Sequence, residues 1–331
     1  MGSANVRSQG VFMLVVAVAI TVWGSIGLYQ GLNSGFSGGL YDPDYRVVGL
    51  RRGGLADRSG FKSGDRVISV EGRPVEELGM ESRWPRSLAP GIGETRRFVV
   101  ERKGERISVD VVFPPPSAAA VENRLRAGLV GLVFLLFGLW AILTVRTSPA
   151  QTLGQIGLTA GVAAALGIGP NLGIWNGVTG HIATAADVFL FILLLRFFVI
   201  FPVPKPVSKS RIAAWLVYGA WGCLLVFLLL ELIVHPALYY TTGSVVSPLM
   251  LTYVLLIFLV VIHTVVKTPR KQLRESGMYW VLGGLAVSIA IFAATFALSL
   301  RLPLWASVAT TAVIPLTMAL AVRKQATLGL A

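Results

Sequence analysis

The sequence predicts an α-helical polytopic membrane protein, with about eight transmembrane helices and an α+β domain outside the cytoplasm. Three observations lead there. Apolar residues make up 54% of the 331-residue chain and mean hydropathy is +0.72. Charged residues make up only 14%, against roughly 25% in a soluble protein. Charge is also segregated: residues 31–124 hold 15 Lys/Arg and 13 Asp/Glu, whereas the rest holds 14 Lys/Arg and only Asp187, Glu231 and Glu275 as acids. The net charge of +13 therefore belongs to the membrane part. Topology accounts for it there, and nucleic-acid binding is not indicated.

Candidate spans fall at about 11–29, 125–145, 152–174, 182–201, 212–233, 248–266, 278–299 and 303–322. The third is the weakest. Gly167, Gly169, Pro170 and Gly173 interrupt it, so its second half is expected to be a broken or re-entrant piece packed inside the bundle. With eight spans, Arg7, Arg146, Lys205, Lys209, Arg211, Lys267, Arg270, Lys271, Arg274, Arg323 and Lys324 all fall on one side. The opposite short loops carry only Arg301. The positive-inside rule makes the basic side the cytoplasm. Residues 1–10 and the tail 323–331 are then inside, and 30–116 lie outside. A linker, 117–124, leads to a seven-helix bundle over 125–322. The run 11–29 reads as an uncleaved anchor; a cleaved signal peptide is the alternative, against which stand its length and the lack of an A-x-A site. Cys223, the single cysteine, allows no disulfide within one chain and is expected to be a small buried hydrophobe.

The outer segment reads as follows. Leu55 to Ser59 is a short helical turn stopped by Gly60. Ser63-Gly64-Asp65 is a tight turn in which the Asp side chain accepts a backbone N–H. Arg66 to Val70 is a strand, Glu71-Gly72-Arg73 a turn, and Pro74 is expected to end ladder pairing. Val75 to Leu88 reads as an imperfect helix. Arg96–Arg102 and Glu105–Phe113 form a hairpin around Lys103-Gly104, with Ile107, Val109, Val111 and Phe113 on one face.

The run GGLADRSGFKSGDRVISVEGRPV resembles a bacterial PDZ domain: a small helix, a Gly, "GD" before an apolar strand, then "G-x-x-V". The resemblance covers about residues 35–114. It implies capture of an extended peptide or protein terminus by strand addition, with Gly35, Phe36, Ser37 and Gly38 as the carboxylate-binding loop. Pro114-Pro115-Pro116-Ser117 is then a stiff linker. The alternative is a domain that only packs on its own membrane part. LRFFVIFPVPKPVSKSR (195–211), KTPRKQLRESGMYWVLGG (267–284) and VIPLTMALAVRKQATLGL (313–330) resemble the sensor module of competence-pheromone-receptor-type histidine kinases. That likeness implies a bacterial inner (cytoplasmic) membrane. This sequence contains no phospho-acceptor His segment and no Asn/Gly-rich ATP site, so kinase activity does not carry over.

Catalytic motifs fail on context. Gly35-Phe36-Ser37-Gly38-Gly39 matches G-x-S-x-G but lacks the strand and helix that motif needs. Gly167 to Gly173 matches G-x-G-x-x-G inside an apolar span. With only His181, His235 and His263 and no H-E-x-x-H, no zinc site is indicated, and no cofactor is expected. His181, Asp187, Glu231, His235 and Arg301 are candidates for a small polar ligand or proton-sensing site at the outer mouth; the alternative is interfacial residues paired with each other or with water. His263 is expected at a helix contact, and Arg196 to snorkel inward. Gly157 and Gly161 form a G-x-x-x-G face for packing within the bundle, a homodimer seam being the second reading. Trp175, Trp215, Trp221, Trp280 and Trp305 are expected mostly as interfacial anchors.

The functional expectation is a non-enzymatic, receptor-like protein surrounded by membrane lipids. Its PDZ domain or outer mouth would bind a peptide, protein terminus or small ligand. A separate protein such as a kinase would read the change at Lys205, Lys209, Arg211, Arg270, Lys271, Arg274, Arg323 and Lys324. The alternative is an accessory subunit of a larger membrane complex, with the PDZ-like domain as its docking module.

Overall fold

The computed structural model describes residues 3–33, 39–41, 45–50, 55–75, 90–169, 176–234, 239–298 and 302–329. A long helix, α1 (Ser3–Leu32), precedes a small α+β domain made of β1 (Gly39–Tyr41), β2 (Val47–Leu50), α2 (Leu55–Arg58), β3 (Arg66–Val70), β4 (Arg73–Pro74), β5 (Thr95–Arg102) and β6 (Glu105–Val112). The bundle follows: α3 (Ala118–Thr144), α4 (Ser148–Gly167), α5 (Asn176–Ile200), α6 (Arg211–Val234), α7 (Tyr239–Lys267), the short α8 (Arg270–Glu275), α9 (Met278–Ala297) and α10 (Leu304–Thr327).

The domain is a four-stranded antiparallel sheet in the order β4-β3-β5-β6, with β1 and β2 paired beside it. Local chemistry sets its turns. Glu71-Gly72 and Lys103-Gly104 all take positive φ, as the two-residue turns that match strand twist require. The expected strands are present, and Val109, Val111 and Phe113 are buried on one face. They join Val47, Val67, Val70, Phe98 and Val100 in one core, in which Phe61 meets Phe98 edge-on at 5.6 Å between centroids. Pro74 differs from expectation. It pairs with Ser69 at the sheet edge, where a missing N–H costs nothing. The predicted helix 75–88 lies outside the described residues from 76 on.

Among the described residues, six helices are long and apolar enough to cross a membrane: Val11–Leu32, Ala118–Thr144, Val178–Ile200, Val245–Lys267, Met278–Thr295 and Leu304–Thr327. The chain is thus a helical membrane protein. Helices also form at the two other places read as spans, α4 and α6. α4 begins earlier than expected, capped by Thr147 Oγ1 accepting from Ala150 N–H at 3.4 Å, and it ends at Gly167.

The low hydropathy of α4 has a packing cause. Against α4 lie α1, α3, α5 and α10, so much of its surface meets protein, and Leu153, Ile156, Ala160 and Ala163 are buried. Small side chains let the neighbours approach. A Cβ at Gly138 of α3 would lie 2.9 Å from Gly157 Cα and 3.0 Å from the Leu153 carbonyl oxygen. Gly157 therefore packs inside the bundle, against α3, while Gly161 faces Leu135.

Polar groups tie the remaining helices together. Trp221 Nε1 donates to the Ala185 carbonyl at 3.1 Å, Tyr253 Oη to that of Val217 at 2.7 Å, and Ser288 Oγ to that of Thr310 at 2.9 Å. Trp221 is thus a helix-contact residue rather than an end anchor. Trp215 and Trp305, near helix starts, are exposed, as anchors are. Cys223 and His263 are exposed rather than packed. A uniformly apolar helix does not reveal which of its faces meets lipid.

Candidate functional site

Helix contacts define two ends. At one, the start of α3 meets the ends of α1 and α4: Gly128 faces Ile168, and Gly27 faces Gly169. The α+β domain hangs here, between α1 and α3. At the other, the end of α3 meets the start of α4, the end of α5, α8 and the end of α10. Val145, Ala150, Phe201, Leu273, Met278, Ala321 and Val322 are buried in one cluster there.

That second end carries the basic residues named from sequence. Several of their side chains are fixed. Lys324 Nζ donates to the Arg274 carbonyl at 2.8 Å and sits 4.8 Å from the Trp280 ring centroid. The Arg323 guanidinium lies 5.8 Å from the Trp140 ring centroid. Gln325 Nε2 donates to the Pro202 carbonyl at 2.7 Å. Lys205 Nζ turns back to the Phe198 carbonyl at 2.5 Å. Lys271 makes a loose pair with Glu275 at 3.9 Å and is otherwise solvent-facing, as are Lys209, Arg211 and Arg270. The result is a rim of hydrogen-bonded and ring-stacked side chains with an outward-facing set of cations. Its order comes from α8, whose single buried residue Leu273 anchors it, and from Gly277. Gly277 has φ +77°, and a Cβ there would lie 3.0 Å from Ala321 Cα. Gly277→Ala is expected to cost about 1–2 kcal/mol from the left-handed backbone alone, read as a lowered unfolding temperature in detergent.

Lys205 has an unusual environment. Burial pushes its ammonium down to about 8, since charge is costly away from water. The folded state therefore holds fewer protons than the unfolded one between that value and the ordinary lysine range, near 10.4. Stability should accordingly rise with pH across this window. Lys205→Met is expected to remove that rise, as measured by thermal unfolding between about pH 7 and 10.5.

Near the domain end, His181 is buried on α5, in the wall of an apolar cavity of about 510 Å³ between α4, α5 and α6. Asp187, six residues on, lies about 120° around the helix and is exposed. These two are not brought together. The side chains of Glu231, His235 and Arg301, and all of Gly35, Phe36, Ser37 and Gly38, lie outside the described residues. No group of three or more potential metal ligands occurs among the described residues.

In the α+β domain, Asp65 is 1% exposed. Its oxygens accept from Lys62 N–H at 2.7 Å, as expected for the turn, and from Arg102 Nε and Nη2 at 2.7 Å each. The Arg102 contact was not legible in sequence, because 37 residues separate the partners. It holds the helical turn, the Asp turn and β5 together, since Arg102 also donates to the Gly60 carbonyl at 2.7 Å.

Compared with protein-family models, curated proteins and solved structures, the chain shows no match in any of the three.

Proposed function

We infer that this chain is a receptor-like, multi-pass membrane protein. In this reading α4 and α6 complete eight spans, and the basic end faces the cytoplasm of a bacterial cell. The α+β domain is PDZ-like, lies outside, and binds a peptide or protein terminus. A separate protein reads the response at the outward-facing cations Lys209, Arg211, Arg270 and Lys271.

The observation that carries the reading is α3. Five residues, 113–117, separate it from β6, and Ser117 Oγ caps it. It runs 27 residues, about 40 Å, and ends at the basic rim, where Trp140 meets Arg323. Along its course it packs on α1, α4 and α10. One helix therefore runs from the short Pro-rich link below the domain to the rim without interruption. A ligand acts through it only by binding two bundle states unequally. The PDZ-like part is supported by its motif run and by the helical turn, Asp65 turn and strand which those residues form.

Affinity capture of the full chain from native membranes in mild detergent, with mass spectrometry, tests this. Recovery of a kinase, phosphatase or response regulator supports it, provided Arg270→Glu/Lys271→Glu loses that partner. A fixed stoichiometric set of enzyme or energy-transducing subunits, kept by the double variant, contradicts it and makes the chain an accessory subunit.

A further inference from the structure

The cavity beside His181 does not end there. A second hollow of about 390 Å³ adjoins it, sharing Leu158, Thr159 and Phe189. Together they form one groove, walled by α4, α5 and α6. Along α5 its lining residues are 178, 181, 182, 185, 186, 189, 193 and 196, one stripe at helical spacing. Val178 and Arg196 mark its limits along α5, eighteen residues or about 27 Å apart. That is most of the roughly 30 Å hydrocarbon thickness.

Between those limits the lining is apolar, with Leu158, Val162, Ile182 and Leu225. The end toward the basic rim is polar. Gln155, Arg196 and Tyr218 converge there, with Thr159 beside them. Arg196 is exposed. None of these four side chains has a hydrogen-bond or ion-pair partner among the described residues. Asp187 is no counter-ion for Arg196: nine residues put them on opposite sides of α5. A second cation, Arg211, lies seven residues before Tyr218, on the same face of α6.

An unneutralised guanidinium on the outside of a span is costly in hydrocarbon. A phosphate removes the cost, since it takes two parallel guanidinium hydrogen bonds. We propose that this groove is a binding site for a membrane lipid with an anionic phosphate head group, the phosphate held by Arg196 with Gln155 and Tyr218, and the hydrocarbon chain laid along Phe189 and Leu158 toward His181. The site opens to the bilayer on the basic side and does not involve the α+β domain. It is independent of the receptor-like reading above.

Native mass spectrometry of the full chain, released from detergent after incubation with defined lipids, tests this. With phosphatidylglycerol, one lipid is expected to stay bound; with phosphatidylcholine at equal concentration, none. Arg196→Gln is expected to lower phosphatidylglycerol occupancy about tenfold or more, the loss of a charged hydrogen-bonded partner. Lys209→Gln, outside the groove, should leave it unchanged. Thr159→Phe, which fills the groove where the two hollows meet, should also lower occupancy while Arg196 is intact. Inorganic phosphate should not displace the lipid. Equal retention of both lipids by the unaltered chain overturns the proposal, as does undiminished phosphatidylglycerol in Arg196→Gln. Displacement by inorganic phosphate alone would show a bare anion site instead. The lipid comparison on the unaltered chain decides the matter even if a variant fails to fold.

Discussion

Gly157→Leu is expected to prevent the bundle from forming. A leucine side chain there has no room, because Gly138 Cα of α3 and the Phe134 carbonyl already occupy the space a Cβ would need. Both are backbone, so nothing short of moving a helix relieves the clash. Overpacking typically costs about 1–3 kcal/mol, and a clash with backbone on a central helix belongs at or above the top of that range. Because α4 touches α1, α3, α5 and α10, the damage spreads to four helices. The readout is loss of the monodisperse peak on size exclusion in detergent, together with a collapsed unfolding transition. Gly283→Leu is the matched control. It also lies inside a helix, α9, but nothing stands within 4 Å of its Cβ position, so it should be tolerated or gain about 1 kcal/mol in helix propensity.

Asp65→Ala is expected to unfold the α+β domain while leaving the bundle intact. The substitution removes three hydrogen bonds to a 1%-exposed carboxylate and leaves Arg102, 21% exposed at its side chain, without its partner. Breaking a buried pair in this way costs about 3 kcal/mol or more. A four-stranded sheet, a two-stranded one and eleven buried core residues among the described residues give a small domain little reserve. Protease digestion in mild detergent should then release fragments from within 45–113 while the helices resist. The same carboxylate makes the domain acid-sensitive. Burial alone would raise its pKa, but the Arg102 hydrogen bonds and the Lys62 N–H outweigh it and hold it below the ordinary carboxylate value. Its contribution is therefore complete above the unfolded value, about 3.9, and is lost as pH falls through the lowered folded value. Asp65→Asn should flatten that acid limb.

What sequence revealed and what it hid divide along the range of the interactions. Gly60, Asp65, Glu71-Gly72 and Lys103-Gly104 act through their immediate neighbours, so their turns were legible residue by residue. Helix positions were legible too, because apolar length is a one-dimensional property, although among the described residues only six of the eight segments read as spans are long and apolar enough to cross a membrane. The place of α4 was not. Its glycines and alanines read as a weak span, when they are the contact surface of the most enclosed helix. The faces of α6 and α7 were hidden for a related reason. Both are apolar all round, so nothing in the pattern said that Trp221 would turn inward and Cys223 and His263 outward. The groove containing Arg196 needed three helices to converge. In sequence that arginine read simply as a side chain near the cytoplasmic end of its span. Asp65 was expected to cap its own turn, and did, but its stronger partner comes from a strand 37 residues away.

In the proposed topology the α+β domain and the basic rim lie on opposite sides of a membrane. Cysteine labelling in intact cells tests it most directly, in a Cys223→Ser background. Lys103→Cys places a thiol at the exposed tip of the β5–β6 hairpin, and Lys209→Cys places one on the exposed short helix Pro206–Lys209 of the rim. A membrane-impermeant maleimide should label the Lys103→Cys chain in intact cells, and the Lys209→Cys chain only after permeabilisation. Labelling of both from the same side would contradict the topology and the receptor-like reading built on it.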